Sequence, residues 1–372
     1  MEANVLNPII EAVKSGKTEV LLSPFQFGGD KENEFVLFFK PEIFFPGVDT
    51  EASISVAFDK FKEHNVDISG MLLLTGDRMN ELGIMDRHYG FINKLSKNAS
   101  KILSADDLEK IYSLLEITDR ADYKIYGGHE FLASHPTFTE ESLDEFWFTK
   151  KSAKIKGGFY VQKYELDGEK FVLVDAFHPS QLKHYINPPH KTLILLAQSD
   201  NSWDSLRDIM IGETFPERAV PESIRGEFYK NKDQYGMKEV TIAYNGIHMS
   251  AGPFEAIFDN GNFLKGIAGA DYAADKTNLH NTMIAAGISE AQALDAINNP
   301  KANIEGKETS LFDITEIKNS SDAVSIYKNK YINLFLGDNA LLFSFLTVKI
   351  RFFFVGKKEV FENENIMGRV EK

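Results

Sequence analysis

Apolar positions along the chain alternate between short solid runs and helical spacings. EFVLFFKPE, residues 34 to 42, is an aromatic and β-branched run stopped by Pro41, and it predicts a buried strand with Lys40 at its end. From Thr50 to His64, Ile54, Ala57, Phe58 and Phe61 recur at the spacing of one helix face, with Thr50 placed as the cap. VDISGMLLLTG then predicts a second strand, and the stretch from 77 to 97 with MDRHYGFINKL returns to a helical pattern. KTLILLAQ predicts another strong strand after a helix over PSQLKHYI. The N-terminal 33 residues show a short helical pattern and the turn FGGDKEN, which suits a lead-in.

The texture changes between 98 and 176. A charged helix pattern (SADDLEKIYSLL) precedes a loop-rich stretch with GGHE and SHP. Two strands follow, GGFYVQKYEL and EKFVLVDAF, joined across an Asp-Gly turn. This segment is expected to be an insertion. DEFWFTKK, around Trp147, is expected to be the core-facing end of an amphipathic helix. SWDSLRDIMIGETFPERAVPESIRGEF combines a helix with a Pro-, Arg- and Gly-rich loop, and from 263 onward the pattern predicts small helices (SEAQALDAIN, SDAVSIYKN) with polar joints.

Composition narrows the function classes. The 372 residues are 43% hydrophobic and 26% charged, with 30 phenylalanines, so a packed globular core is expected. A net charge of -14 argues against general nucleic-acid binding, because phosphate neutralisation needs a surplus of Lys and Arg. The absence of cysteine excludes disulfides, thiol nucleophiles and Cys-based metal sites. MEANVLNPII lacks a basic region followed by an apolar run, so no signal peptide is expected and the cytoplasm is the expected location. INLFLGDNALLFSFLTVKIRFFFVG, 332 to 356, is greasy, but Asp338, Lys349 and Arg351 break it into pieces too short for a membrane span, and it is expected to be a buried strand or helix.

The chemistry gathers near NGIHMSAGPFEA. His248 is one of nine histidines, and an imidazole is the side chain best suited to nucleophilic or proton-transfer work near neutral pH. Asn245 and Ser250 flank it, and Pro253 suits the first turn of a helix carrying Asp259, which could aim a carboxylate back at the ring. Upstream, Arg207, Arg218 and Arg225, with Thr214 between them and Lys40 at its strand end, could clamp phosphates through charge-assisted hydrogen bonds. His129 and His135 lie six apart, which does not match the helical zinc-protease spacing. The chain has no P-loop motif, and GIAGAD lacks the dinucleotide-binding spacing.

In order along the chain, FVLFFKPE, RHYGF, IGETFPERAVPESIRGEF, NGIH and S-x-x-P-x-E-A resemble the nucleoside diphosphate kinase family. The resemblance runs from 34 to about 262 with 98–176 set aside as an insertion, residues 1–33 as a lead-in and 263–372 as a mostly helical extension. It implies an α+β fold, a ferredoxin-like antiparallel sheet covered by helices. It implies that His248 takes the γ-phosphoryl of a nucleoside triphosphate and passes it to a nucleoside diphosphate, with Mg²⁺ carried on the nucleotide phosphates and no dedicated protein cage. Lys40 and Arg225 correspond to phosphate-binding cations, Thr214 to a phosphate-binding hydroxyl, and Asn245 to the sugar contact. Tyr89 matches a tyrosine near the phosphates, Ser250 the serine beside the histidine, and Asp259 the carboxylate supporting the ring, one methylene shorter than in the family. A homo-oligomer is also implied, with no nucleic-acid or membrane partner.

Several positions depart from that pattern. Lys97 stands near where an aromatic would stack on the base, and Asp208 where a second phosphate-contacting arginine is expected, with Arg207 one residue before it. Ala251 follows the serine where many members carry an aspartate. The alternatives that these departures keep open are a nucleotide-binding or interaction module without efficient catalysis, and a transferase acting on another phosphorylated acceptor.

Overall fold

The computed structural model describes residues 3–332. At its centre, strands Glu19–Ser23, Asp67–Thr75, Lys191–Ser199, Asn33–Phe39 and Ile247–Met249 lie side by side in that order, each antiparallel to its neighbour. Without the edge strand at 19–23, the remaining four run second, third, first, fourth in chain order. That is the ferredoxin-like arrangement, in which the first and last strands lie adjacent. Its consequence for function is that the end of the 33–39 strand and the short 247–249 strand meet, bringing Lys40 and His248 into one neighbourhood.

All seven residues of NEFVLFF are buried, because both faces of the sheet are covered. Phe35, Leu37 and Phe39 enter one core with Ile54, Ala57 and Phe61 of helix Thr50–Glu63, while Val36 and Phe38 enter the other with Leu72, Ile194 and Phe263. A continuous apolar run is what a strand buried on both faces requires. Helix 50–63 is capped by Asp49, whose carboxylate accepts from Ala52 N at 2.9 Å, and not by Thr50, whose hydroxyl donates to Ile43 O at 2.8 Å. The aspartate stands one residue earlier, where its side chain can reach a free amide of the first turn.

EVLLS lies in the expected lead-in, yet it pairs with the 67–75 strand and extends the sheet. Its five residues are all half-buried, which leaves no strict alternation for the sequence to display. Residues 123–174 build a second, four-stranded sheet with strands Tyr123–Gly127, Glu169–Val174, Phe159–Leu166 and Ala153–Lys156 in that order. Its central hairpin turns through Asp167 and Gly168, both with positive φ, the backbone that an Asp-Gly turn favours. GGHE, read as loop, opens helix Gly128–Ser134; Trp147 is buried at the end of helix Glu140–Trp147.

Helix Pro253–Leu264 lies between the central sheet and a third apolar cluster, giving Phe254 and Ile257 to Leu279, Met283, Leu311 and Val324. Residues 301–310 of this mostly helical part form a hairpin, Lys301–Ile304 with Lys307–Ser310, that the sequence pattern does not predict. Its strands are short and largely exposed, too brief to show a period. The greasy segment from 333 to 356 lies outside the described residues. Among those described, no helix is long and apolar enough to cross a membrane.

Candidate functional site

His248 sits on the edge strand opposite Phe38, and its ring stacks on that phenylalanine with centroids 4.5 Å apart. Gly246, two residues before His248, lets Phe228 pack directly on the strand entry. Its φ of +80° is one that other residues rarely adopt, and a Cβ there would lie 2.6 Å from the Phe228 ring. The Gly246 carbonyl accepts from Lys40 N and its amide donates to Glu42 Oε1 at 2.8 Å, so the strand entry is held from both sides.

Three cations surround the strand. Arg225, on helix Ile224–Lys230, donates from Nε and Nη2 to Ile247 O at 3.3 and 3.0 Å and from Nη1 to Gly212 O at 2.9 Å. Arg207, on the π-helical segment Ser205–Ile211, donates to Met249 O at 3.3 Å. Buried Lys40 donates to Ala243 O at 3.1 Å. The carbonyls on both sides of His248 are therefore fixed by guanidinium groups. Burial, and after it the positive charge of His88, Arg207, Lys40 and Arg225, hold the His248 imidazole well below the usual histidine range. It is neutral at physiological pH. His248 Nε2 is sealed from solvent and makes no hydrogen bond among the described residues.

Burial pushes the Lys40 ammonium down to about 8, partly offset by Glu42, and the Arg225 guanidinium down to about 10, with Arg207 adding to the effect. His88 behaves in the opposite way to His248, although the two rings meet edge to face at 5.2 Å. Burial would lower it, but the hydrogen bond and charge of Asp259, with the charge of Glu255, outweigh burial and raise it.

The structure brings together His248, Lys40, Arg207, Arg225, Ser250 and Asp259, though not with every expected contact. Asp259 makes no hydrogen bond to the His248 ring. Its Oδ1 is 3.2 Å from His88 Nδ1, and its Oδ2 accepts from Ser250 Oγ at 2.7 Å. This short side chain, nearly two turns into the helix, meets those two donors instead. Asn245 is buried and donates to Thr214 O at 3.3 Å and Ile242 O at 3.1 Å, so its amide fastens the loop, while its Oδ1 is sealed without a partner. Thr214 is exposed. Tyr89 is half-buried against His88, with centroids 4.9 Å apart, and burial raises its hydroxyl to about 12. Lys97 is exposed and pairs with Asp86 at 3.0 Å.

Residues that the sequence reading left without a role complete the site. His88 stands within RHYGF, next to Tyr89, and Glu255 lies four residues before Asp259 on one helix face, a spacing that could have marked the pair. Glu255 Oε1 accepts from Ala251 N at 3.0 Å, and burial together with the Asp259 charge raises its carboxyl. Glu42, the last residue of FVLFFKPE, binds His184 Nε2 at 2.7 Å. Beside that pair opens a cavity of about 450 Å³ lined by Phe45, Lys183, His184, His190 and Tyr244 among others. Glu42 lies in its wall, two residues from Lys40, and Tyr244 one residue from Asn245; His248 itself is not in the lining.

No family model matches this chain, and comparison with curated proteins finds no match either. Among solved structures it is similar to a nucleoside diphosphate kinase from Encephalitozoon cuniculi in its apo cubic form, at 14% identity over 64% of this chain and 96% of that one, with a TM-score of 0.28. It is also similar to an NDP kinase from Pyrobaculum aerophilum, at 13% identity over 63% of this chain and 96% of that one, with a TM-score of 0.31. At these values the functional argument rests on the site itself.

Proposed function

We propose that this protein is a nucleoside diphosphate kinase-like phosphotransferase that works through a phosphohistidine at His248. The observation that carries the reading is a neutral, half-buried imidazole on an edge strand, with Arg207, Arg225 and Lys40 gathered around it. A neutral ring has the lone pair that attack on phosphorus needs, and the cations that add to burial in keeping it neutral would meet the charge of a triphosphate. With Nε2 sealed, Nδ1 is the nitrogen left to attack.

In the first half-reaction the nitrogen–phosphorus bond forms as the bond from the γ-phosphorus to its bridging oxygen breaks, and the departing diphosphate keeps the electron pair. In the second half-reaction a terminal oxygen of the acceptor diphosphate attacks phosphorus, and the imidazole leaves with its lone pair restored. Charge in both loose transition states is spread over phosphoryl oxygens, so fixed donors count more than covalent help. Lys40 and Arg225 are bonded to backbone carbonyls but retain further N–H donors, three being available on an ammonium and five on a guanidinium. Mg²⁺, where bound, neutralises phosphate oxygens. The cavity beside Glu42 and Tyr244 is the place for the nucleoside. The lead-in, the insertion at 98–176, the extension from 263, a homo-oligomeric state and a cytoplasmic location belong to this same reading.

A second reading, a nucleotide-binding module without efficient catalysis, is favoured by one observation: Lys40, Arg225 and Asn245 all direct donors to backbone carbonyls. Incubation with γ-labelled ATP and Mg²⁺ separates the two. Acid-labile, base-stable label that is absent in His248→Ala and moves to GDP is expected from the phosphotransferase. Nucleotide binding without label would overturn that reading in favour of the module.

A further inference from the structure

A ring nitrogen of His248 and one carboxylate oxygen each from Glu255 and Asp259 all lie within 4.8 Å of one another. Among the described residues, no other group of three such side chains converges in this way. Two elements create the cluster. The edge strand presents His248, and helix Pro253–Leu264, started by its proline, carries Glu255 and Asp259 one turn apart and places both oxygens near the ring.

The outer contacts are those of ligands already oriented. Asp259 is fixed at Oδ1 by His88 and at Oδ2 by Ser250, and Glu255 at Oε1 by the Ala251 amide. Hydrogen-bonded carboxylates of this kind are the usual support of a metal centre. Asp259 is fully buried, Glu255 half-buried, and the two carboxylates repel each other, so a cation between them would relieve the repulsion. A buried imidazole nitrogen without a partner is the second, independent sign of an absent ligand.

We infer that His248, Glu255 and Asp259 form a site for one divalent first-row transition cation of the Zn²⁺ class. One nitrogen and two oxygens favour that class over Mg²⁺, which takes oxygen ligands and keeps its waters. A tetrahedral ion with bonds of about 2.0–2.1 Å brings its ligand atoms to about 3.4 Å apart. The cluster would close by a shift of the Glu255 side chain, the longest of the three, against its hold on the Ala251 amide. Arg207, Lys40 and Arg225 oppose a cation here, but each is tied to a carbonyl, of Met249, Ala243 and Ile247 respectively. Their charge sets the affinity below that of a site without them. An ion on Nε2 would leave the ring proton on Nδ1, the nitrogen that phosphoryl transfer needs free, so metal and phosphoryl group would exclude each other at His248. The site itself rests on the geometry and does not depend on the phosphotransferase reading.

The test is titration of the metal-free full chain with Co²⁺, without nucleotide, followed by visible absorption, and then displacement by Zn²⁺. One equivalent is expected, with an intense low-coordinate spectrum. Affinity should fall about tenfold or more in His248→Ala and in the nearly isosteric Glu255→Gln, with thermal melts confirming that both remain folded. His280→Ala, which removes a histidine paired with Glu290 elsewhere, should leave it unchanged. No binding, or binding equally strong in both site variants, overturns the proposal. Failure of the labelling experiment with Co²⁺ binding intact would remove the phosphotransferase reading and leave the metal site standing.

Discussion

Asp259 and Asp175 are both fully buried, one at the His248 end of the central sheet and one at the end of the second sheet. Asp259 has a donor on each oxygen and a histidine beside it that is raised toward its charged form. Asp175 accepts only from Tyr160 N at 2.8 Å, its Oδ2 is sealed without a partner, and burial pushes its carboxyl up to about 8. Near Asp175, His178 is likewise pushed down to about 3 by burial. The contrast shows that burial alone neutralises a group, whereas burial among matched partners builds an electrostatic site. Buried ionisable residues and an unpartnered imidazole nitrogen, on His178 and on His248, occur at both sheets; the His248 end adds the three cations and the paired carboxylates.

The largest effect should come from Asp259→Ala, which strands the raised His88 and the Ser250 hydroxyl. A loss of about 3–5 kcal/mol in denaturant unfolding is expected, as for other broken buried pairs. A loss as small as a surface substitution gives would break the contrast. Next comes the pH dependence of Asp175. The unfolded chain releases this proton near 3.9, the folded chain only at about 8. Between those values the folded state holds more protons, so stability falls as pH rises and levels off above the folded value. Asp175→Asn keeps the acceptor for Tyr160 N and should flatten that decline by a few kcal/mol, read from unfolding midpoints at a series of pH values.

Lys40 sharpens the other half of the comparison. Because its ammonium is held down to about 8, binding of an anionic nucleotide should weaken as pH passes that value, by about tenfold for loss of one charge-assisted hydrogen bond. Calorimetric titration from pH 7 to 10 checks this, and Lys40→Arg should abolish the dependence. The smallest effect is expected from Lys97→Ala, on helix Gly90–Ile102, which packs against the second sheet. Its exposed pair with Asp86 should be worth less than about 0.5 kcal/mol in a thermal melt.

Much of the frame was legible from pattern. NEFVLFF and KTLILLAQS are solid apolar runs because both their faces are covered, and helix 50–63 shows its buried stripe directly. The edge strand at 19–23 and the hairpin at 301–310 were not legible, since a short, half-covered or exposed strand carries no distinct period. At the site, residue types near His248 could be named from NGIHMS and the arginine-rich loop, but their contacts could not. The expected ring support by Asp259 went to His88 and Ser250, and the amide of Asn245 went to the loop backbone.

The linear chain by itself determined which segments must be buried, where helix 253–264 begins, and that His248 would stand just ahead of it, because local spacing and a proline at the first turn act over a few residues. Only the tertiary structure decided that His88 and Lys40, both far upstream, would face His248, and that one buried histidine would be raised while its neighbour was lowered. Hydrogen bonds and charge–charge energies depend on distances of a few ångström between segments remote in sequence, and those distances exist only once the first and last strands of the sheet have paired.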